Sequence, residues 1–286
     1  MICKLYHLFN NRSCRFKKSL TISATIIGAL ATLLTILGIS LSTFPELTIV
    51  TRILIVVSVF LLLFVASYVA IGIVFRNSID LSIHGTHVAV RRGNIFDAQA
   101  LRVIGCDTHF DTRIDDIVIS KSSLHGKLFL KHGDTKEIEN LVSAEAKRLN
   151  LSQNEDGTFE FPLGTIVVYE SSVDNQTYLL LAMTKLDSDY EAHTNMAEFE
   201  QMLMHMWKEI DRTYAGRSVA LPVLGAGITR FDDRPKRKED LLRCMICTLN
   251  SSSVALSSKI DILIFEDASD VPLYELKSAF HSLPRR

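Results

Sequence analysis

The chain has 286 residues, a net charge of -1 and 48% hydrophobic residues. Without a basic excess it lacks the electrostatic footprint of a nucleic-acid binder. Its five cysteines, Cys3, Cys14, Cys106, Cys244 and Cys247, are scattered and odd in number, which argues against a disulfide framework and fits reduced thiols in a cytosolic compartment.

The positive mean hydropathy comes largely from the first quarter of the chain. Met1–Ser19 is basic, with Lys4, Arg12, Arg15, Lys17 and Lys18 and no acid. Leu20–Phe44 runs without a charge, Pro45-Glu46 interrupts it, and a second uncharged run, Ile53–Phe75, follows Arg52. Each run reaches the roughly 20 residues a helix needs to cross hydrocarbon, and the short interval makes the pair a tight hairpin. The leader and Arg76, Arg91 and Arg92 flank one side of it, so the positive-inside rule predicts a multi-pass membrane protein with both termini cytoplasmic. A signal peptide over Lys17–Ala31 is disfavoured, because the apolar run is too long and a second span follows at once. A buried core hairpin is the other reading, although neither segment is amphipathic. Ala24 and Gly28 form a small-xxx-small pair, a spacing common in any span rich in Ala and Gly.

Beyond Arg76 the pattern becomes that of a soluble domain. Ser78–Ile83 and Thr86–Arg92 read as strands joined by a turn at His84-Gly85. Gly93–Asp97 breaks the second strand, and Leu101–Gly105 is a short apolar strand. Thr112–Leu130 reads as loop. Asp134 begins a helix, with Glu137 three residues on as in a capping box. Gly164–Tyr169 and Thr177–Met183 are strands joined through Asp174-Asn175. Thr194 or Asn195 caps a long helix whose stripe is Met196, Phe199, Leu203, Met206, Trp207, Ile210 and Tyr214. Glu239–Leu249 is helical, Ile260–Phe265 is a buried strand, and Val271–Leu283 is a closing helix. The predicted organisation is a basic leader (1–19), a transmembrane hairpin (20–76) and one α/β domain with a mixed sheet (77–286).

Val219–Phe231, reading VALPVLGAGITRF, organises the domain. A buried strand ends at Pro222, which is tolerated only where the ladder is ending. Gly225 and Gly227 then permit a tight turn, whose unpaired backbone N–H groups form a cradle for phosphate. No Lys-Ser/Thr follows, as a Walker A loop requires, and Arg230 stands where a dinucleotide fingerprint places its third glycine. An ordinary strand-to-loop turn is the competing reading. Ligands of open α/β sheets sit beyond the carboxyl ends of the strands, which points to this loop and to the one after Leu101–Gly105.

Those two loops, with Gly93-Asn94-Ile95, resemble the ADP-ribose-binding macro domain. The family's opening Gly-Asp-Ile, whose acid contacts adenine, is here Gly93-Asn94-Ile95, so Asn94 offers an amide instead. Its second phosphate loop is here Pro222-Val223-Leu224-Gly225-Ala226-Gly227-Ile228. With Phe161–Thr165, Tyr178–Met183 and Leu203–Trp207, the chain looks like a divergent branch: a macro-domain-like mixed sheet flanked by helices, preceded by a two-helix transmembrane hairpin, as in the membrane effector of type II Thoeris anti-phage defence. That resemblance implies that a TIR-domain partner makes an ADP-ribose-derived signal such as histidine–ADP-ribose. It further implies that the domain binds this nucleotide with no other cofactor. The protein would then oligomerise on activation and disrupt the lipid bilayer of the cell inner membrane in which it sits, causing abortive infection. The candidate ligand-binding residues are Asn94, Ile95, Asp107, His125, Gly126, Gly225, Ala226, Gly227, Ile228, Thr229, Arg230 and Phe231; Arg230 as a phosphate partner and Phe231 as a stacking ring read equally well as loop anchors.

One departure bears on catalysis. Macro domains that hydrolyse ADP-ribosyl bonds carry an Asn-rich motif after the central strand, but here that place reads Ile104–Asp111 with no Asn. Binding without hydrolysis is therefore expected. A membrane-tethered ADP-ribosyl hydrolase and a non-catalytic adaptor remain as alternatives. Asp107 or Asp111 offers acceptors to ribose hydroxyls, or is a solvated loop acid. Asp107, His109 and Asp111 have the spacing of a metal trio, which alternation on a strand also produces. Cys244-x-x-Cys247 lies in an amphipathic helix without a second pair and reads as core thiols. His125-Gly126 is either a second phosphate loop or a turn.

Overall fold

The computed structural model describes residues 13–36, 48–74, 78–155, 157–187, 189–232, 234–265, 271 and 273–281. The predicted Pro45-Glu46 turn lies outside the described residues, as does most of the basic leader. Two long helices come first, α1 (Ser13–Ile36) and α2 (Ile49–Val74). Phe16–Thr35 and all of α2 are long and apolar enough to cross a membrane, with mean hydropathies of 1.4 and 2.9. Helix α2 buries no residue.

The two helices meet through serines. Ser19 and Ser23 are buried, the Ser23 and Ser67 hydroxyls lie 3.5 Å apart, and Ser67 donates to the Ser19 carbonyl at 3.4 Å. The Phe16 and Phe64 rings meet edge to face at 5.1 Å. Ala24 and Gly28 are exposed, so that small pair is not the packing face. The hydroxyls of Thr21, Thr25, Thr32 and Thr35 each donate to the carbonyl four residues back. Such bonds satisfy a polar group where no water is present. A third helix from the C-terminal end of the chain, α7 (Leu273–His281), packs against α1. These helices belong to one compact unit, and Asp80–Val271 forms another.

The second unit is built on a nine-stranded sheet. Strand β1 (Ser78–Ile83) turns at His84-Gly85, both at positive φ (48° and 83°), into β2 (Thr86–Arg92). This is the expected two-residue hairpin. A 3-10 turn, Ile95–Asp97, leads to β3 (Leu101–Asp107), then α3 (Leu124–His132) and α4 (Thr135–Arg148). Strands β4 (Ile166–Glu170), β5 (Thr177–Leu186) and β6 (Ala192–Thr194) follow, then α5 (Met196–Thr213), β7 (Val219–Pro222), β8 (Arg230–Phe231), α6 (Lys238–Ser252) and β9 (Ile260–Ile264). The strand order is β1-β2-β9-β7-β3-β5-β6-β8, with β4 paired to β5. Strands β2, β9, β7, β3 and β5 run parallel to one another in that series, and β4 and β6 run antiparallel to β5. The carboxyl ends of five central strands therefore open at one end of the sheet.

Helix formation follows local chemistry. The Asp134 side chain accepts from the Glu137 amide at 3.1 Å and Asn195 accepts from Glu198 at 3.0 Å, each satisfying a first-turn donor. Glu137 does not complete a box, because the Asp134 amide donates instead to the Tyr169 hydroxyl at 2.9 Å. Helix α5 buries Phe199, Met202, Leu203, Met206, Trp207 and Ile210 and packs on β4, β5 and α6. On the other face, Leu128, Phe129, Ile138 and Val142 join Ile104, Cys106, Leu180 and Ala182 in one apolar cluster. Thr112–Leu130 is not all loop: α3 begins at Leu124, capped by Ser123, whose side chain accepts from the Gly126 amide.

Candidate functional site

A cavity of about 720 Å³ opens where β3, β5, β7 and β9 end. Its walls come from the strand exits, the 3-10 turn after β2, the first turns of α3, and the glycine loop. Parallel topology explains the position, because all of these exits emerge on the same side.

The glycine loop forms one wall. Strand β7 ends at Pro222, and the Val223 amide still donates to the Leu263 carbonyl at 3.2 Å. The Ala226 amide folds back on the Val223 carbonyl at 3.3 Å, which closes a turn at Gly225, whose φ is +75°. A Cβ on Gly225 would meet Phe231 at 3.3 Å and Phe199 at 3.4 Å. Gly227 has nothing within 4 Å of where its Cβ would stand. Among the described residues, the amides of Gly227, Ile228 and Thr229 donate to no acceptor. Unpaired loop amides of this kind are the donors that an anion requires.

The β3 exit is arranged differently. Asp107 is buried and lines the cavity, but its carboxylate is engaged. It accepts from the His109 amide at 2.7 Å and from the Asp111 amide at 3.2 Å. His109 turns away, its Nδ1 lying 3.0 Å from the Phe159 carbonyl. The trio Asp107, His109 and Asp111 thus forms a clamped turn, and its donors do not converge as a metal site. The thiol of Cys106, beside it in the wall, is pushed well up by burial and then by the Asp107 charge.

His125 sits on the first turn of α3, buried among cavity-lining residues. Its ring meets Phe129 edge to face at 4.8 Å, and Nε2 has no formed hydrogen bond. Burial lowers its basicity, an effect that the nearby charges of Asp107 and Asp111 and the Asp111 backbone carbonyl oppose. The ring is therefore held toward the neutral form.

This architecture has relatives. Residues 88–265 match the family model described as Thoeris protein ThsA, Macro domain. The chain belongs to that family. Thoeris protein ThsA of Bacillus amyloliquefaciens (strain Y2) is 29% identical over 218 residues, 72% of each chain. The Oceanobacillus iheyensis macrodomain with ADP is similar over 71% of this chain and 96% of its own, at 11% identity and a TM-score of 0.47. The Trypanosoma brucei macrodomain in complex with ADP-ribose is similar over 66% and 68%, at 11% identity and a TM-score of 0.41.

In this ThsA-type macro domain, Asn94, Asp107, His125 and the run Gly225–Thr229 come together around the cavity. The Asn94 side-chain oxygen is used in capping, accepting from the Phe96 amide at 3.2 Å, so its NH2 remains as the free donor. Four of the sequence-derived residues stand elsewhere. Ile95 is in the core. Gly126 packs so closely on Ser120 that a Cβ would collide with that carbonyl. Arg230 pairs with Glu191, and Phe231 is buried edge to face on Phe199 at 5.6 Å. The sequence reading missed Phe96, Lys127, His132, Met183 and Phe265, all of which line the cavity. Their cue is position, since each lies near a strand exit or on the cavity side of α3. Asp187, Glu191 and His193 hold donor atoms within 4.8 Å of one another, but Arg230 already occupies Glu191. Cys244 and Cys247 lie on α6 as read, their thiols pushed up chiefly by burial, Cys244 to about 12.

Proposed function

We propose that this chain is a membrane-anchored anti-phage effector whose macro domain binds an ADP-ribose-derived signal in the cavity at the strand ends. The observation that carries the reading is the row of free amides at Gly227–Thr229 on the wall of a cavity large enough for a dinucleotide-sized ligand. Backbone amides without side-chain obstruction hold phosphate oxygens at close range. The signal is read as an amino-acid conjugate such as histidine–ADP-ribose, produced by a TIR-domain partner.

The same reading makes the protein a sensor and not an enzyme. Asp107, a candidate for activating a water, spends part of its acceptor capacity on two backbone amides. The hydrophobic pair α1–α2 supplies the output. Only residues 75–77 separate the last residue of α2 from the first of β1, so a ligand-driven change in the domain has a short covalent path to the spanning helices. A ligand shifts such an equilibrium only by binding one state more tightly. Homo-oligomerisation on activation and disruption of the inner membrane, with both termini cytoplasmic, complete the proposal.

Titration calorimetry of the full chain in detergent, with ADP-ribose and its amino-acid conjugates, tests it. Saturable binding of at least one supports the reading, and no binding of any removes it. Mass spectrometry of the small molecule that co-purifies from cells expressing the signalling partner identifies the natural ligand.

A further inference from the structure

The sheet is connected to the helical unit twice, and both connections leave it at the same end. Strand β1 joins β2 through a two-residue turn and so runs antiparallel to it, while β2 runs parallel to β9. The start of β1 and the end of β9 therefore lie at the end of the sheet where the cavity opens. Residues 75–77 lead from α2 into β1, and residues 266–272 lead from Phe265, just past β9, into α7.

The exit of β9 is built into the cavity. Leu263, Ile264 and Phe265 line it. The Leu263 carbonyl accepts from the Val223 amide at 3.2 Å, at the root of the glycine loop, and the Ile264 carbonyl accepts from the Gly93 amide at 3.1 Å, beside Asn94. Phe265 is half exposed, with the Lys127 ammonium 6.0 Å from its ring centroid. A ligand held by those two loops bears directly on this exit.

Helix α7 has nine residues, too few to hold a helix alone in water, so its shape depends on packing. Leu273 and Leu276 are buried and, three apart, share one face. The helix packs on α1, within the compact unit that contains the hairpin. Each spanning helix thus has its own tether: α2 through the chain into β1, and α1 through its contact with α7. A change carried by one tether alone would move the hairpin as a body. Two tethers from different strands can shift α1 against α2.

We propose that α7 is a coupling element that carries the state of the cavity from the β9 exit to α1, so that ligand binding changes the packing of α1 on α2. This rests on the reading of the cavity as an ADP-ribose-type site.

The helix seam supplies the readout, because the Ser23 and Ser67 hydroxyls lie 3.5 Å apart. Ser23→Cys and Ser67→Cys are introduced together into the full chain in detergent. The rate at which that pair forms a disulfide is followed by peptide mass spectrometry, with and without ADP-ribose or histidine–ADP-ribose. With the α7 tether intact, the ligand should change the rate about fivefold or more, the lower end of ordinary coupling between sites. A Gly-Ser insert of about six residues between Asp267 and Ala268, roughly 20 Å at full extension, slackens the tether without altering either end. Ligand binding by calorimetry should persist in the insert variant, and the rate should no longer respond. Leu276→Asp, which spoils the buried face of α7, should do the same. A rate that responds equally with the slack tether overturns the proposal, and so does a rate that never responds in protein that binds the ligand. Loss of binding on insertion would mean that the tether holds the cavity together, and it overturns the proposal as well. Comparable melting temperatures separate uncoupling from misfolding. If the unsubstituted protein binds neither ligand, the parent reading of the cavity fails and the coupling falls with it.

Discussion

Gly227→Val isolates the glycine loop from the stability of the fold. The Gly227 Cβ position has nothing within 4 Å, and its φ is outside the left-handed region where side chains are strained. A Cβ there meets no protein atom within 4 Å, so the change in folding stability should stay within about 0.5 kcal/mol, as for an ordinary surface substitution. Ligand binding should respond very differently. On the phosphate-cradle proposal, the isopropyl group obstructs the approach of a phosphate to the amides of residues 227–229. Losing two amide bonds to a charged phosphate, at about 1.5–3 kcal/mol each, removes about 3–6 kcal/mol, or at least a hundredfold in affinity. The assay is calorimetry with ADP-ribose, paired with a thermal melt of the same sample. An unchanged melt with lost binding is the expected pair of results. Undiminished affinity in the folded variant would refute the phosphate cradle.

Other consequences follow from neighbouring features. Gly225→Ala should destabilise the fold itself, because φ at +75° costs a side chain about 1–2 kcal/mol. A melting temperature lowered by about 2–8 °C is expected, and no shift would contradict the turn geometry. His125 is less basic in the fold than its ordinary value of 6.5, so below about pH 6.5 the unfolded chain takes up a proton that the folded domain refuses. Stability should therefore decline as pH falls through that region and level off below the folded value. Denaturation of the unsubstituted protein and His125→Phe between pH 7.5 and 5.5 should show this component only in the former. Burial raises both Cys244 and Cys247, so iodoacetamide at pH 8 should modify them only after denaturation, and rapid labelling of folded protein would contradict their assignment. Alkaline carbonate washing should leave the chain in the membrane pellet, and recovery in the supernatant would remove the spanning reading of α1 and α2.

Legibility from sequence was uneven, for physical reasons. The hairpin at His84-Gly85, the Asp134 and Asn195 caps and the stripe of α5 were readable because each depends on residues within one turn of one another. The glycine loop was readable too, since Pro222, Gly225 and Gly227 carry backbone constraints in their identities. Helix α3 was not. Its nine residues include Gly126 and are followed at once by the Gly133 cap, and tertiary packing of Leu128 and Phe129 holds it in place. Strands β6 and β8, of three and two residues, are too short to show alternation and exist only through pairing with each other and with β5. The site divided along the same line. Gly225–Thr229 announced themselves, whereas the occupation of Asp107 by two amides and the removal of Arg230 by Glu191 depend on contacts distant in sequence or on loop geometry.

The central claim is that free backbone amides at Gly227, Ile228 and Thr229 hold the diphosphate of an ADP-ribose-type ligand. A structure of the full chain determined with ADP-ribose bound measures this directly. The account predicts phosphate oxygens within hydrogen-bonding distance of those three amides. A nucleotide bound anywhere else, or a loop whose amides face no phosphate, would contradict it.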